Sequence, residues 1–112
     1  MAAHPTGPRP VVPEVTPAEA KVRQDQGAVV VDVREAEEWQ EGHVSGAVHI
    51  PLATLPQRLH QLDPQQEVIT VCRGGNRSAF AADALLKAGF PRVSSMAGGT
   101  LAWTEQGLPV SK

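Results

Sequence analysis

The sequence predicts an α/β domain of about five mainly parallel strands with helices on both faces. Three observations carry that expectation. From Thr16 onward, helix-forming segments alternate with apolar strand-like segments, the pattern of a parallel sheet crossed by helices. Two runs, Ala28-Val29-Val30-Val31-Asp32-Val33 and Val68-Ile69-Thr70-Val71-Cys72, are almost continuously apolar, as strands covered on both faces are. The second run ends on the only cysteine of the chain and opens into a loop with two glycines and two arginines.

In chain order, residues 1–13 hold four of the ten prolines and no apolar period, so they read as a flexible or extended arm before a domain spanning 14–112. Val11, Val12 and Val15 suggest a short strand there. Thr16-Pro17-Ala18-Glu19 has the form of a capping box with proline at the first helical position. That helix should reach Gln26, with Gly27 stopping it. After the 28–33 strand, the acidic stretch Arg34 to Glu41 reads as a helix anchored by Trp39, and Ala47 to Ile50 as a short strand closed by Pro51. Thr54-Leu55-Pro56-Gln57 resembles a second capping box, opening a helix with Leu55, Leu59 and Leu62 on one side. A strand over Glu67–Val71, a helix over Ala79–Ala88 and a strand over Val93–Met96 follow. Gly98-Gly99 then turns the chain into a helix over Thr100–Gln106, offering Leu101 and Trp103 to the core.

Composition narrows the function classes. A chain of 112 residues, 41% hydrophobic and 20% charged, suits one globular core. The net charge of −2 gives no general attraction to nucleic acid or to an anionic membrane. The N-terminus lacks a signal-peptide apolar core, and no stretch approaches the ~20 apolar residues of a membrane span. A cytoplasmic protein is expected. One cysteine rules out an intramolecular disulfide framework and any multi-cysteine metal site. His4, His43, His49 and His60 lack ligand spacing, so no metal is expected; His43 and His49 read as loop-holding hydrogen-bonding groups.

The chemistry concentrates in Cys72-Arg73-Gly74-Gly75-Asn76-Arg77-Ser78. A thiol at the carboxyl end of a parallel strand faces the usual ligand crevice and the N-terminus of the next helix. The thiolate is the nucleophilic form of cysteine. Converging N–H groups and the cations Arg73 and Arg77 favour negative charge there. Gly74 and Gly75 permit the positive φ that turns N–H groups inward. Ser78 reads as the helix N-cap, with Asn76 competing for that position. Asp32 reads as a cap or a cation's partner, and Arg34 and Glu38 have i,i+4 spacing.

This loop resembles the active-site loop of the rhodanese family. Two further signatures are similar to that family's at matching spacing: Asp32-x-Arg34 with Glu38 and Gly42-His43-x-x-Gly46-Ala47-x-x-Ile50-Pro51, then Gly98-Gly99-x-x-Ala102-Trp103 with Gly107-x-Pro109. The resemblance covers nearly the whole chain after residue 13 and is to the single-domain form. It implies a rhodanese-like fold and a thiosulfate sulfurtransferase in which Cys72 takes sulfur from a small anionic donor. The sulfur would be held as a persulfide among the N–H groups of residues 73 to 78 and passed to cyanide or a thiol. It implies no cofactor. Another persulfide donor is the alternative to thiosulfate, because Arg73 is followed by Gly74 where thiosulfate-preferring relatives often carry a second cation. The alternative function is a sulfur-relay or protein-binding module with incidental thiosulfate activity, whose donor or acceptor is another protein. The rival is phosphatase or arsenate chemistry on a related fold. Those loops place five residues between cysteine and arginine, whereas four separate Cys72 from Arg77. The shorter loop suits a single sulfur atom.

Overall fold

The computed structural model of the chain describes residues 5–112; His4 and the start of the arm lie outside the described residues. Five strands form one parallel sheet: β1 (Glu14–Val15), β2 (Val29–Asp32), β4 (Val48–His49), β5 (Val68–Val71) and β6 (Val93–Met96). Their order is β1-β6-β5-β2-β4, so β5 lies at the centre. β3 (His43–Val44) and β7 (Val110–Ser111) form a separate antiparallel pair that the sequence reading did not anticipate. Two-residue strands carry too little apolar pattern to be seen locally.

The buried runs divide between the two faces by strand alternation. Val31, Val33 and Val68 join Cys72, Leu85 and Phe90 on one side, where α3 (Asn76–Lys87) packs. Val30, Ile69 and Val71 join Ala20, Met96 and Trp103 on the other, under α1 (Pro17–Asp25) and α4 (Gly99–Glu105). A short α2 (Ala36–Gln40) follows β2. The Thr16–Glu19 capping box forms as the sequence predicts, with bonds of 2.8 and 3.1 Å, and supplies acceptors to two of the orphan N–H donors at the helix start.

The second predicted capping box does not form. Residues Leu52–Gln57 and Leu59–Gln61 make two 3-10 turns, and the Thr54 hydroxyl donates to the Pro51 carbonyl at 2.9 Å instead of capping. Pro56 has no N–H to close a bond back to Leu52, which favours short turns over an α-helix. The leucines still face the core: Leu55 and Leu62 are buried and Leu59 packs beside them. Two other expectations are corrected. α3 begins at Asn76, three residues before Ala79, and Leu101 is half exposed while Trp103 is fully buried. Of the three valines read as a short strand, only Val15 lies in one; Val12 packs against the α3-side core, and Val11 is exposed.

Candidate active site

β5 delivers Cys72 to the carboxyl end of the central strand. From β2 the chain runs outward to β4, and from β5 it runs the other way to β6. The crevice between β2 and β5 is therefore the point where the strand order reverses, the usual ligand position in such sheets. Asp32 pairs in register with Val71, so the ends of β2 and β5 meet beside the cysteine.

The loop closes around the sulfur. Gly75 N–H donates to Cys72 Sγ at 3.1 Å and Ser78 N–H at 3.3 Å, with Ser78 Oγ at 3.5 Å. Both N–H groups belong to the first turn of α3 and its cap, where backbone donors have no partner within the helix. They direct the positive ends of their dipoles at the sulfur. Gly75 has φ +110°, a conformation that glycine adopts without penalty. Gly74 has no positive φ, and an added Cβ there would meet nothing within 4 Å, so only Gly75 of the pair is required by backbone geometry.

Gly75, not Ser78 or Asn76, is the N-cap, and it caps without a side chain. Asn76 is exposed at the first helical position. Ser78 lies two residues further on, buried, with its hydroxyl 2.7 Å from Ser95 Oγ on β6 and its carbonyl accepting from Thr70 Oγ1 at 2.7 Å. Two strands thus pin the residue whose N–H faces the sulfur. From the other side, α4 donates Thr100 N–H to the Cys72 carbonyl at 2.8 Å and Leu101 N–H to the Arg73 carbonyl at 3.2 Å.

The two loop arginines have different surroundings. Arg77 is largely buried and donates through both terminal nitrogens to Glu38, at 2.7 and 2.9 Å. Arg73 is exposed and makes no ion pair among the described residues. The i,i+4 pairing of Arg34 with Glu38 is not formed. Arg34 lies before α2 and grips Asp32 with bonds of 2.8–3.0 Å, while its Nη2 also donates to the Gly42 carbonyl at 2.8 Å. Asp32 is fully buried and also accepts the Arg34 N–H, so it both caps and pairs. His43 and His49 donate to the Trp39 and Arg34 carbonyls at 2.9 and 2.8 Å, and their rings stack on Trp39.

The Glu38–Arg77 pair makes stability depend on pH. The Arg77 hydrogen bonds hold the Glu38 carboxyl down to about 2, against the opposing effect of its partial burial, and the same pair raises Arg77. A carboxylate depressed on folding stabilises the protein above its ordinary value near 4.5, and that contribution is lost as pH falls toward 2. Glu38→Gln should lose about 1–2 kcal/mol at pH 7, less than a fully buried pair because Glu38 is partly solvated. The difference in urea midpoint between wild type and Glu38→Gln should narrow steadily from pH 5 to pH 2.5. A gap that stays constant over that range would remove the pair from the account.

The sequence reading missed Glu38 as the partner of Arg77, Ser95 as the anchor of Ser78, and Gly99 as the residue that lets α4 reach the loop. Each contact is between residues distant in sequence, and only the rhodanese-type signatures containing Glu38 and Gly98-Gly99 hinted at any of them.

The rhodanese-like domain family matches residues 16–106. The chain belongs to that family. It is 36% identical over 89 residues to the thiosulfate sulfurtransferase GlpE of Pseudomonas fluorescens, covering 80% of this chain and 82% of that one. It is 38% identical over 84 residues to YrkF of Bacillus subtilis, a protein named for a sulfur-carrier role; that match covers 75% of this chain but only 45% of YrkF. Among solved structures, a rhodanese-related protein from Thermoplasma volcanium superposes with a TM-score of 0.82 at 28% identity, over 89% of this chain and 98% of that one. This rhodanese-like domain has the fold that the alternation of segments predicted.

Proposed function

We propose that this rhodanese-like chain is a sulfurtransferase that carries sulfane sulfur as a persulfide on Cys72. The observation that carries the reading is the sulfur's setting: Sγ accepts two N–H groups from a loop whose inner arginine is already bound to a carboxylate. The Cys72 thiolate attacks the outer sulfur of thiosulfate. The S–S bond of the donor breaks, and its electron pair leaves with sulfite. The terminal persulfide sulfur then carries the negative charge. The loop N–H groups from Arg73 to Ser78 stabilise that charge, and Arg73 attracts the anionic donor. Arg73 and Gly74 have N–H groups that meet no protein acceptor among the described residues, which leaves them free for this role. Cyanide or a thiol takes the terminal sulfur and returns the thiolate.

Phosphoryl transfer is disfavoured by the same geometry. Four residues, not the five of phosphatase loops, separate Cys72 from Arg77, and Arg77 already directs one N–H of each terminal nitrogen to Glu38. Beside the loop, a groove of about 570 Å³ runs between α2, β3 and α4, with Arg73, Glu38 and Leu101 along it. It has room for an acceptor larger than cyanide, which supports a cellular thiol or a sulfur-relay protein as acceptor. The proposed setting is cytoplasmic; no helix among the described residues is long and apolar enough to cross a membrane.

The test is direct. Incubation with thiosulfate should add one sulfur, about 32 mass units, to the intact protein, on the peptide holding Cys72, and cyanide should remove it as thiocyanate. Protein that gains no sulfur from thiosulfate or from a protein persulfide, yet hydrolyses an aryl phosphate through Cys72, would reverse the assignment.

A further inference from the structure

Charge accounting at the loop leaves a vacancy that a residue outside it fills. With Arg77 neutralised by Glu38, Arg73 is the one loop arginine without a carboxylate partner among the described residues. Arg9, in the N-terminal arm, also makes no ion pair there, and its side chain is exposed. Its guanidinium lies against the loop: Arg9 Nη1 is 3.5 Å from where a Gly75 Cβ would stand, a point that Gly98 N approaches within 3.7 Å and the Met96 carbonyl oxygen within 3.9 Å. Since Gly75 N–H itself donates to Cys72 Sγ at 3.1 Å, Arg9 Nη1 is no more than about 9 Å from the sulfur.

The arm is held in that position. Pro8 and Pro10 flank Arg9 and restrict the backbone on both sides to extended conformations. Val12 packs against the apolar cluster that contains Cys72, and the Pro13 carbonyl accepts from Ser95 N–H at 2.9 Å, on the residue that also anchors Ser78. Only three residues separate Arg9 from Pro13, so the backbone that carries the guanidinium is confined beside the loop.

We propose that Arg9 is the second substrate-attracting cation of this site, a positioning residue that raises the capture of anionic sulfur donors at Cys72. This rests on the sulfurtransferase reading for its substrate, but not for its electrostatics. A unit charge at about 9 Å, in a dielectric between that of a protein surface and water, alters the local concentration of a monoanion about threefold. For a dianion such as thiosulfate the energy doubles and the factor squares, to about tenfold. The arm thereby supplies the charge that Gly74 does not.

Alkylation of Cys72 by iodoacetate and by iodoacetamide separates the field from everything else. The two reagents are nearly the same size and use the same thiolate, so the ratio of their rates reports local potential and cancels the thiolate fraction. Arg9→Gln should lower the iodoacetate-to-iodoacetamide ratio about threefold, Arg9→Lys should keep it, and 1 M salt should abolish the difference. With thiosulfate, Arg9→Gln should lower kcat/KM about tenfold, chiefly through KM. An unchanged ratio overturns the proposal. So does an equal slowing of both reagents, which marks a merely structural arm, and so does a Cys72 that neither reagent reaches. If the ratio shifts but wild-type protein accepts no sulfur from thiosulfate or from a protein persulfide, the cation stands and the sulfurtransferase reading falls.

Discussion

Cys72→Ser should lower thiocyanate formation from thiosulfate by about 10⁴-fold or more and eliminate the one-sulfur mass gain, while the protein stays folded. Both halves follow from the sulfur's surroundings. The chemistry needs an atom that is anionic near neutral pH and can hold a second sulfur, and a serine hydroxyl is neither ionised nor able to form a persulfide. The fold needs only an acceptor for Gly75 N–H and Ser78 N–H, which the serine oxygen still provides. Its stability should remain within about 1 kcal/mol of wild type. Cys72→Ala keeps neither function: it leaves two N–H groups in a buried loop without their acceptor, at about 1–3 kcal/mol each where water does not replace it. Intact mass, a thiocyanate assay and urea unfolding on the three proteins check this. A serine variant retaining more than a few per cent of the turnover would sink the persulfide mechanism; equal stability of the serine and alanine variants would remove the N–H cradle.

How far the sequence led depends on how local each feature is. The Thr16–Glu19 cap, the buried Val29–Asp32 and Val68–Val71 strands and the cysteine after β5 are encoded by neighbours, and all lie where the sequence placed them. The Thr54–Gln57 cap failed although its letters were right, because Pro56 sits where an α-helix would need an N–H. Reading Ser78 as a cap failed for a different reason. Glycine at positive φ can cap a helix with its backbone alone, and the serine was then free to be pinned by Thr70 and Ser95, on strands before and after it. Ion-pair choice was the least legible. Arg34 had Glu38 at helical spacing, yet the chain turns between them, so Arg34 closes on Asp32 and Glu38 crosses to Arg77. Local spacing limits which pairs can form, but the strand order decides which ones do. Arg9 is the extreme case, a surface arginine in a proline-rich arm whose position depends on the β1–β6 pairing beyond it.

Gly99→Ala should be among the most damaging single-methyl additions in the chain, losing about 3–5 kcal/mol of stability and most of the turnover of whatever remains folded. Two effects add. Gly99 has φ +60°, a left-handed conformation in which alanine is disfavoured by about 1–2 kcal/mol. Its added Cβ would also overlap the carbonyl oxygens of Cys72 and Arg73, which are backbone atoms and cannot rotate away. Either α4 retreats, breaking the Thr100 and Leu101 N–H bonds to those carbonyls and loosening the buried Trp103, or the loop shifts and draws Gly75 N–H and Ser78 N–H off the sulfur. Gly107→Ala separates the two contributions. Gly107 has φ +71°, but nothing lies within 4 Å of its added Cβ, so it should lose only the conformational part, about 1–2 kcal/mol. Urea midpoints give the stability difference, and kcat measured well below each midpoint shows whether the folded fraction still turns over. If Gly99→Ala is no worse than Gly107→Ala, the close approach of α4 does not hold the loop, and the cradle around Cys72 must be rigid through β5, β6 and α3 alone.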